Sequence, residues 1–371
     1  MTASKSDTMS ERSRILLFSL FVIGLLFPAE YGQAQGYAPG TLRDRKDRET
    51  FLTPPSQEEE KAHFWKVQKD VSLYYFTEGQ GEEILFLHGG PGFPPLEAGK
   101  GFDLLKDDYK VYYYHQRGCG KSTRPIDRFE SQNYFANMQT LVKKLGIEQQ
   151  IADIDRIRRI LKKDKIILAG HSFGGFIATL YAVEFPERVK KLILLSPAEM
   201  LVMPNPEGGM FETIKRCLPE GQVKEDFDAY QMRFFQSFGG VFSKSEKDLV
   251  ALNLEFVRYY VAALEAKGLP SEHVRPPEGH DSGWMPFGIY FSLGMRYDHT
   301  KSLSRITCPV LLIHGEQDIV MGLKAIKSYE DNIENAILRV LKKAAHNTFD
   351  DQPQEFADAV RAFLQGEEAG S

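Results

Sequence analysis

The chain is short of cysteine, of long apolar runs and of net charge, and each shortage removes a class of function. Cys119, Cys217 and Cys308 are odd in number and far apart, so they supply no disulfide framework. No cysteine–histidine cluster has zinc spacing, and neither a metal nor a cofactor is expected. A net charge of −5 over 371 residues, with no basic stripe, argues against nucleic acid as a partner. The apolar run Ile15–Phe27 falls short of the ~20 residues needed to span a bilayer. It follows Arg12 and Arg14, and Gly32 and Ala34 sit at −3 and −1 of a signal-peptidase cut before Gln35. Residues 1–34 thus read as a cleaved signal peptide, exporting the protein to the periplasm or medium with no stable membrane span left. No internal repeat is present.

What remains is ordinary globular material, 42% hydrophobic and 26% charged, ample for one large core. Residues 35–62, with Pro54-Pro55 and the acidic run Glu58–Glu60, read as a polar, poorly ordered N-terminal arm. Apolar strands are expected at Phe64–Val67, Val71–Thr77, Glu83–Leu87, Lys110–Tyr114, Lys165–Ala169 and Leu192–Leu195, then at Pro309–Ile313 and Ala336–Leu341. Helical spacing fills about 131–163, Gly175–Phe185, 322–332 and 353–364. This alternation predicts an α/β fold, a mostly parallel, doubly wound sheet with helices on both faces. Residues 198–300 break the pattern. They are helical, aromatic and proline-punctuated, without a strand, and read as a helical cap inserted between core halves at 63–197 and 301–371.

The chemistry gathers where strands end. Strand Lys165–Ala169 runs into Gly170-His171-Ser172-Phe173-Gly174 and then a helix, the setting of a nucleophile elbow. A serine hydroxyl is a weak nucleophile unless a neutral imidazole takes its proton and a carboxylate orients that imidazole. The segment after Pro309–Ile313 offers Asp318, with Glu316 as fallback; the segment after Ala336–Leu341 offers His346. The chain order Ser172, Asp318, His346 is that of a catalytic triad on a strand–elbow–helix scaffold. For the oxyanion, the backbone N–H of Phe173 is one expected donor. Gly89, Gly90 and Gly92 follow another strand; Pro91 has no N–H, and Gly90 is taken as the second donor. His171 reads as packing, His88 and His314 as hydrogen-bonded to backbone, Cys119 as a small filler. Phe234, Phe235, Phe238, Tyr259, Tyr260 and Trp284 either line an apolar pocket or simply pack the cap.

HGGPG at 88–92, QRGCGKS at 116–122, GHSFGG at 170–175 and CPVLLIHGEQD at 308–318 resemble the α/β-hydrolase superfamily. More narrowly, the chain resembles the proline iminopeptidase-like serine exopeptidases over about 65–365. That likeness implies a catalytic serine, an acyl-enzyme and release of N-terminal residues from small peptides. It also implies acidic cap residues for the free amine, for which Glu199, Glu207, Glu212 and Glu255 are candidates. Two departures stand out: His115 occupies the acid of the usual DQRG, and the elbow has the GHSFG form of many esterases. A carboxylesterase, lactonase or amidase is therefore the alternative. A noncatalytic ligand binder of the same fold has no need of all three triad residues.

Overall fold

The computed structural model describes residues 36–57, 62–205, 209–271, 274 and 281–366. The signal segment, the run Glu58–Glu60 and Glu207 lie outside them. Strands β1 (Phe64–Gln68), β2 (Val71–Glu78), β3 (Glu82–Leu87), β4 (Tyr109–Tyr114), β5 (Ile166–His171), β6 (Val189–Leu195), β9 (Val310–Gly315) and β10 (Ala336–Leu341) form one sheet. Their order is β1-β2-β4-β3-β5-β6-β9-β10. Only β2 runs against its neighbours; the pairs from β4 to β10 are parallel.

Side chains alternate between the two faces with a period of two. Leu85, Leu87, Leu168, Leu194 and Leu312 join one apolar cluster; Ile84, Phe86, Ile167, Ile193 and Leu311 join the other. Both faces are covered, so β5 and β9 are buried along their whole length. Helices α4 (Ile147–Ile160) and α5 (Phe173–Glu184) cover the first face. Helices α2 (Lys100–Asp103) and α12 (Pro353–Gln365) cover the second.

Three expectations need correction. The stretch 131–163 is two helices, α3 (Tyr134–Leu145) and α4, broken at an extended Gly146. A Cβ there would lie 2.5 Å from the Val142 carbonyl and 2.9 Å from Ser292 Cβ, so only glycine lets the chain turn against the cap. The N-terminal arm is docked rather than loose through 36–57, where it includes the short helix α1 (Arg48–Leu52). Leu42 and Leu52 are fully buried, and the buried Glu184 carboxylate accepts hydrogen bonds from Tyr37 Oη (2.7 Å), Gly40 N (2.8 Å) and Arg43 N (2.9 Å). The cap does contain strand: β7 (Val202–Met203) pairs antiparallel with β8 (Tyr297–Asp298), joining its start to its end.

Between those strands lie α6 (Gly209–Cys217), α7 (Gln222–Gly240), α8 (Glu246–Ala266) and α9 (Trp284–Leu293), which share an aromatic cluster of their own. Past the cap, α10 (Leu323–Asn332) and the turn helix α11 (Thr348–Asp351) complete the chain with α12. Among the described residues no helix is long and apolar enough to cross a membrane.

Candidate active site

Ser172 stands between β5 and α5 at φ 53°, ψ −121°, a conformation that costs a non-glycine residue about 1–3 kcal/mol. The turn is held from both sides. Ser172 N donates to Leu195 O at 2.9 Å, and Ser172 O accepts from Ala198 N at 2.9 Å and Phe176 N at 3.2 Å. The elbow glycines are demanded by close approach: a Cβ on Gly174 would lie 2.1 Å from Leu87 O, and one on Gly170 would lie 2.5 Å from Gly174 O. The β3 strand end therefore presses directly on the elbow.

Asp318 lies in the turn after β9, which extends to Gly315 and so ends closer to it than the sequence suggested. Its Oδ1 accepts from Val320 N (2.8 Å) and Met321 N (2.9 Å), and its Oδ2 accepts from His346 Nδ1 at 2.8 Å. Burial pushes this carboxyl up, but the His346 and His314 imidazoles, the His346 hydrogen bond and the Met321 amide together hold it below the usual range. Asp318 is thus a fixed carboxylate on the Nδ1 side of His346, and among the described residues His346 Nε2 has no hydrogen-bond partner. Glu316, the fallback, is exposed.

The elbow and the histidine loop are joined by His171. Its Nε2–H donates to His346 O at 3.1 Å, and the two rings stand 4.7 Å apart. Burial first, then the neighbouring His346, pushes His171 down to about 3, so it stays neutral. Packing was expected of this residue; the tie to His346 was not. Among the described residues Ser172 Oγ and His346 Nε2 are not hydrogen-bonded, a contact that free enzymes commonly close only with substrate.

The HGGPG loop lies over the serine. A Cβ built on Gly89 would come within 3.0 Å of Ser172 Cβ and 3.2 Å of His171 Nδ1. Among the described residues the N–H groups of Gly90 and Phe173 have no hydrogen-bond acceptor, and Phe173 opens α5, where backbone donors are orphaned. His88 pins this loop to the next one: Nδ1 donates to Gly89 O (2.8 Å), and Nε2 accepts from Gln116 N (3.1 Å). Burial pushes His88 down to about 3, which keeps Nε2 an acceptor. His115, also buried, does the same on the outer side, donating from Nε2 to Pro95 O (3.1 Å) and accepting at Nδ1 from Lys121 N (3.0 Å). A neutral imidazole there bridges two loops. His314 is buried with Nδ1 3.9 Å from Asp318 Oδ2, close to the Met321 backbone. Cys119 packs beneath, its thiol donating to Gln116 O, and burial pushes it up beyond nucleophilic use.

Of the candidate cap carboxylates, Glu255 is paired with Arg233, Glu212 is exposed and Glu199 is half-buried beside Met321. Trp284 and Tyr259 are cap core: the Trp284 indole donates to Asp127 O (2.9 Å) and the Tyr259 hydroxyl to Asp226 O (3.1 Å). Phe234 is buried with them, whereas Phe235 is 38% exposed.

Residues 83–353 match the alpha/beta hydrolase fold family. The proline iminopeptidase of Heyndrickxia coagulans is 27% identical over 312 residues, covering 79% of this chain and 94% of that protein. That of Lactobacillus delbrueckii subsp. bulgaricus is 28% identical over 293 residues, covering 76% and 89%. In structure, an esterase from Exiguobacterium antarcticum superposes with a TM-score of 0.55 at 20% identity, covering 82% of this chain and 100% of that one.

Proposed function

The chain belongs to the alpha/beta hydrolase fold family, and we propose that within it the protein is a serine hydrolase working through an acyl-enzyme. The observation that carries this is the 2.8 Å His346–Asp318 bond, tied through His171 to a strained elbow serine. His346 Nε2 takes the Ser172 hydroxyl proton as Oγ bonds to the substrate carbonyl carbon. Phe173 N–H and Gly90 N–H receive the oxygen that gains charge. Collapse breaks the bond to the leaving group, which departs with the proton from His346. Water, deprotonated by the same imidazole, then releases the acyl group and restores Ser172.

The substrate class we propose is small peptides with a free N-terminus, the protein acting as a proline iminopeptidase-like aminopeptidase. Support comes from relatives of that activity that match three-quarters of the chain and from the HGGPG loop on the serine. Ester hydrolysis is the second reading, favoured by the pairing of Glu255 with Arg233 and by the aromatic cap. We also propose that the protein works outside the cytoplasm, on the strength of Arg12, Arg14 and Ile15–Phe27.

The deciding experiment compares kcat/KM on prolyl- and alanyl-arylamides with that on a short p-nitrophenyl ester. Preference for the free-amine arylamides is expected. Ester turnover with inert arylamides would replace the aminopeptidase by an esterase.

A further inference from the structure

Tyr259 and Tyr260 are neighbours on α8, yet a step of about 100° around a helix sends them to different places. Tyr259 is fully buried and its hydroxyl is spent inside the cap, on Asp226 O and Arg258. Tyr260 is only partly buried and packs against two clusters at once, the cap's aromatic cluster and the one that lines the sheet beneath it. Its ring stacks on Phe256, 6.4 Å away, one helical turn earlier. The loop that carries the triad acid reaches the same junction, since Ile319 packs into the cap cluster while Val320 and Met321 pack into the core.

The Tyr260 hydroxyl feels the Asp318 and Asp351 carboxylates, after burial the main influences on its proton. All three act in one direction, holding the phenol protonated well above its ordinary range. Among the described residues this hydroxyl has no hydrogen-bond partner. A phenol at the junction of cap and core, within the electrostatic reach of Asp318 and without a protein partner among the described residues, is a donor available to something bound there.

We infer that Tyr260 is a substrate-contacting, specificity-determining residue, whose O–H donates a hydrogen bond to an uncharged acceptor oxygen of the molecule held between the cap and Ser172. The inference rests on the serine-hydrolase reading. The influence of Asp318 and Asp351 disfavours an anionic group at this point, so the partner is an amide or ester oxygen, and acids should bind poorly there.

The test is Tyr260→Phe, which keeps the ring and its packing. The readouts are kcat and KM on an alanyl-arylamide and a p-nitrophenyl ester, and the rate of Ser172 labelling by a fluorophosphonate. Loss of one uncharged hydrogen bond predicts a fall of about 10-fold in kcat/KM on the better substrate, with labelling within two-fold of the parent. Tyr259→Phe is expected to leave kcat/KM within two-fold. Turnover by Tyr260→Phe within two-fold of the parent on both substrates overturns the assignment. So does a fall in labelling that matches the fall in turnover, which would mean the phenol acts on the nucleophile rather than on substrate. Failure of the parent reading looks different: full turnover in Ser172→Ala, which removes the premise as well.

Discussion

In the core, strands alternate their side chains between two apolar clusters, and the proposed triad residues at the strand ends are held by hydrogen bonds. Ser172 is gripped through its N–H and carbonyl, Asp318 through two amides and His346, and the His346 carbonyl by His171. In the cap, order comes from ring on ring. Phe211, Phe227, Tyr230, Phe234, Phe238 and Phe287 contact one another, and few polar anchors tie them to the core. The clearest anchor is Glu246, whose carboxylate joins Arg124 Nη1 of the core (2.5 Å) to Gly283 N (2.9 Å) and Trp284 N (2.8 Å) within the cap. Hydrogen bonds fix atoms to tenths of an ångström, whereas packed rings fix only shape. On the proposed reading the core sets the chemistry and the cap sets what enters.

Changes in the core should therefore strike kcat with little effect on folding. Ser172→Ala is expected to lower kcat/KM at least ~10⁴-fold, with an unchanged melting temperature, because among the described residues the serine hydroxyl makes no hydrogen bond. Asp318→Asn should follow at about 10³–10⁴-fold, since the amide no longer holds His346 in the right tautomer. Glu246→Gln is the matching blow to the cap. It weakens an anchor with three charge-assisted hydrogen bonds and should cost about 1–3 kcal/mol, read as a lower melting temperature and a raised KM. Labelling of Ser172 should persist in it. A Glu246→Gln protein that loses labelling as Asp318→Asn does would erase the division between the two regions.

Acid should act on stability more gently. His88 and His171 are pushed from an ordinary 6.5 down to about 3, and both belong to the core site. Below pH 6.5 the unfolded chain binds protons that the folded core refuses, so stability is full above 6.5 and falls as pH drops towards 3. Each histidine contributes a slope of roughly 1.4 kcal/mol per pH unit in that window, measurable by urea unfolding at stepped pH. The smallest effect belongs to Cys119→Ala, a filler: about 1 kcal/mol of stability and no change in turnover.

The parts legible in the sequence are those that repeat a local rule. Strands buried on both faces appear as apolar runs, and the proposed triad residues stand just past three of them. What stayed hidden depends on distant partners. The arm's polar residues gave no hint of packing, because the carboxylate that holds them, Glu184, is more than 140 residues away. Strands β7 and β8 are two residues each and meet only through the closed cap. The break at Gly146 is set by Ser292 on another helix. Tyr259 and Tyr260 look alike in one dimension, and only the helix face decides which is cap core and which packs where the cap meets the core.

The measurement that bears most directly on the chemistry is fluorophosphonate labelling followed by peptide mass analysis, on the parent and on Ser172→Ala. A single adduct on Ser172, absent from Ser172→Ala and formed more slowly in Asp318→Asn, is the expected result. An adduct on another residue, or equal labelling of Ser172→Ala, would contradict the proposed triad.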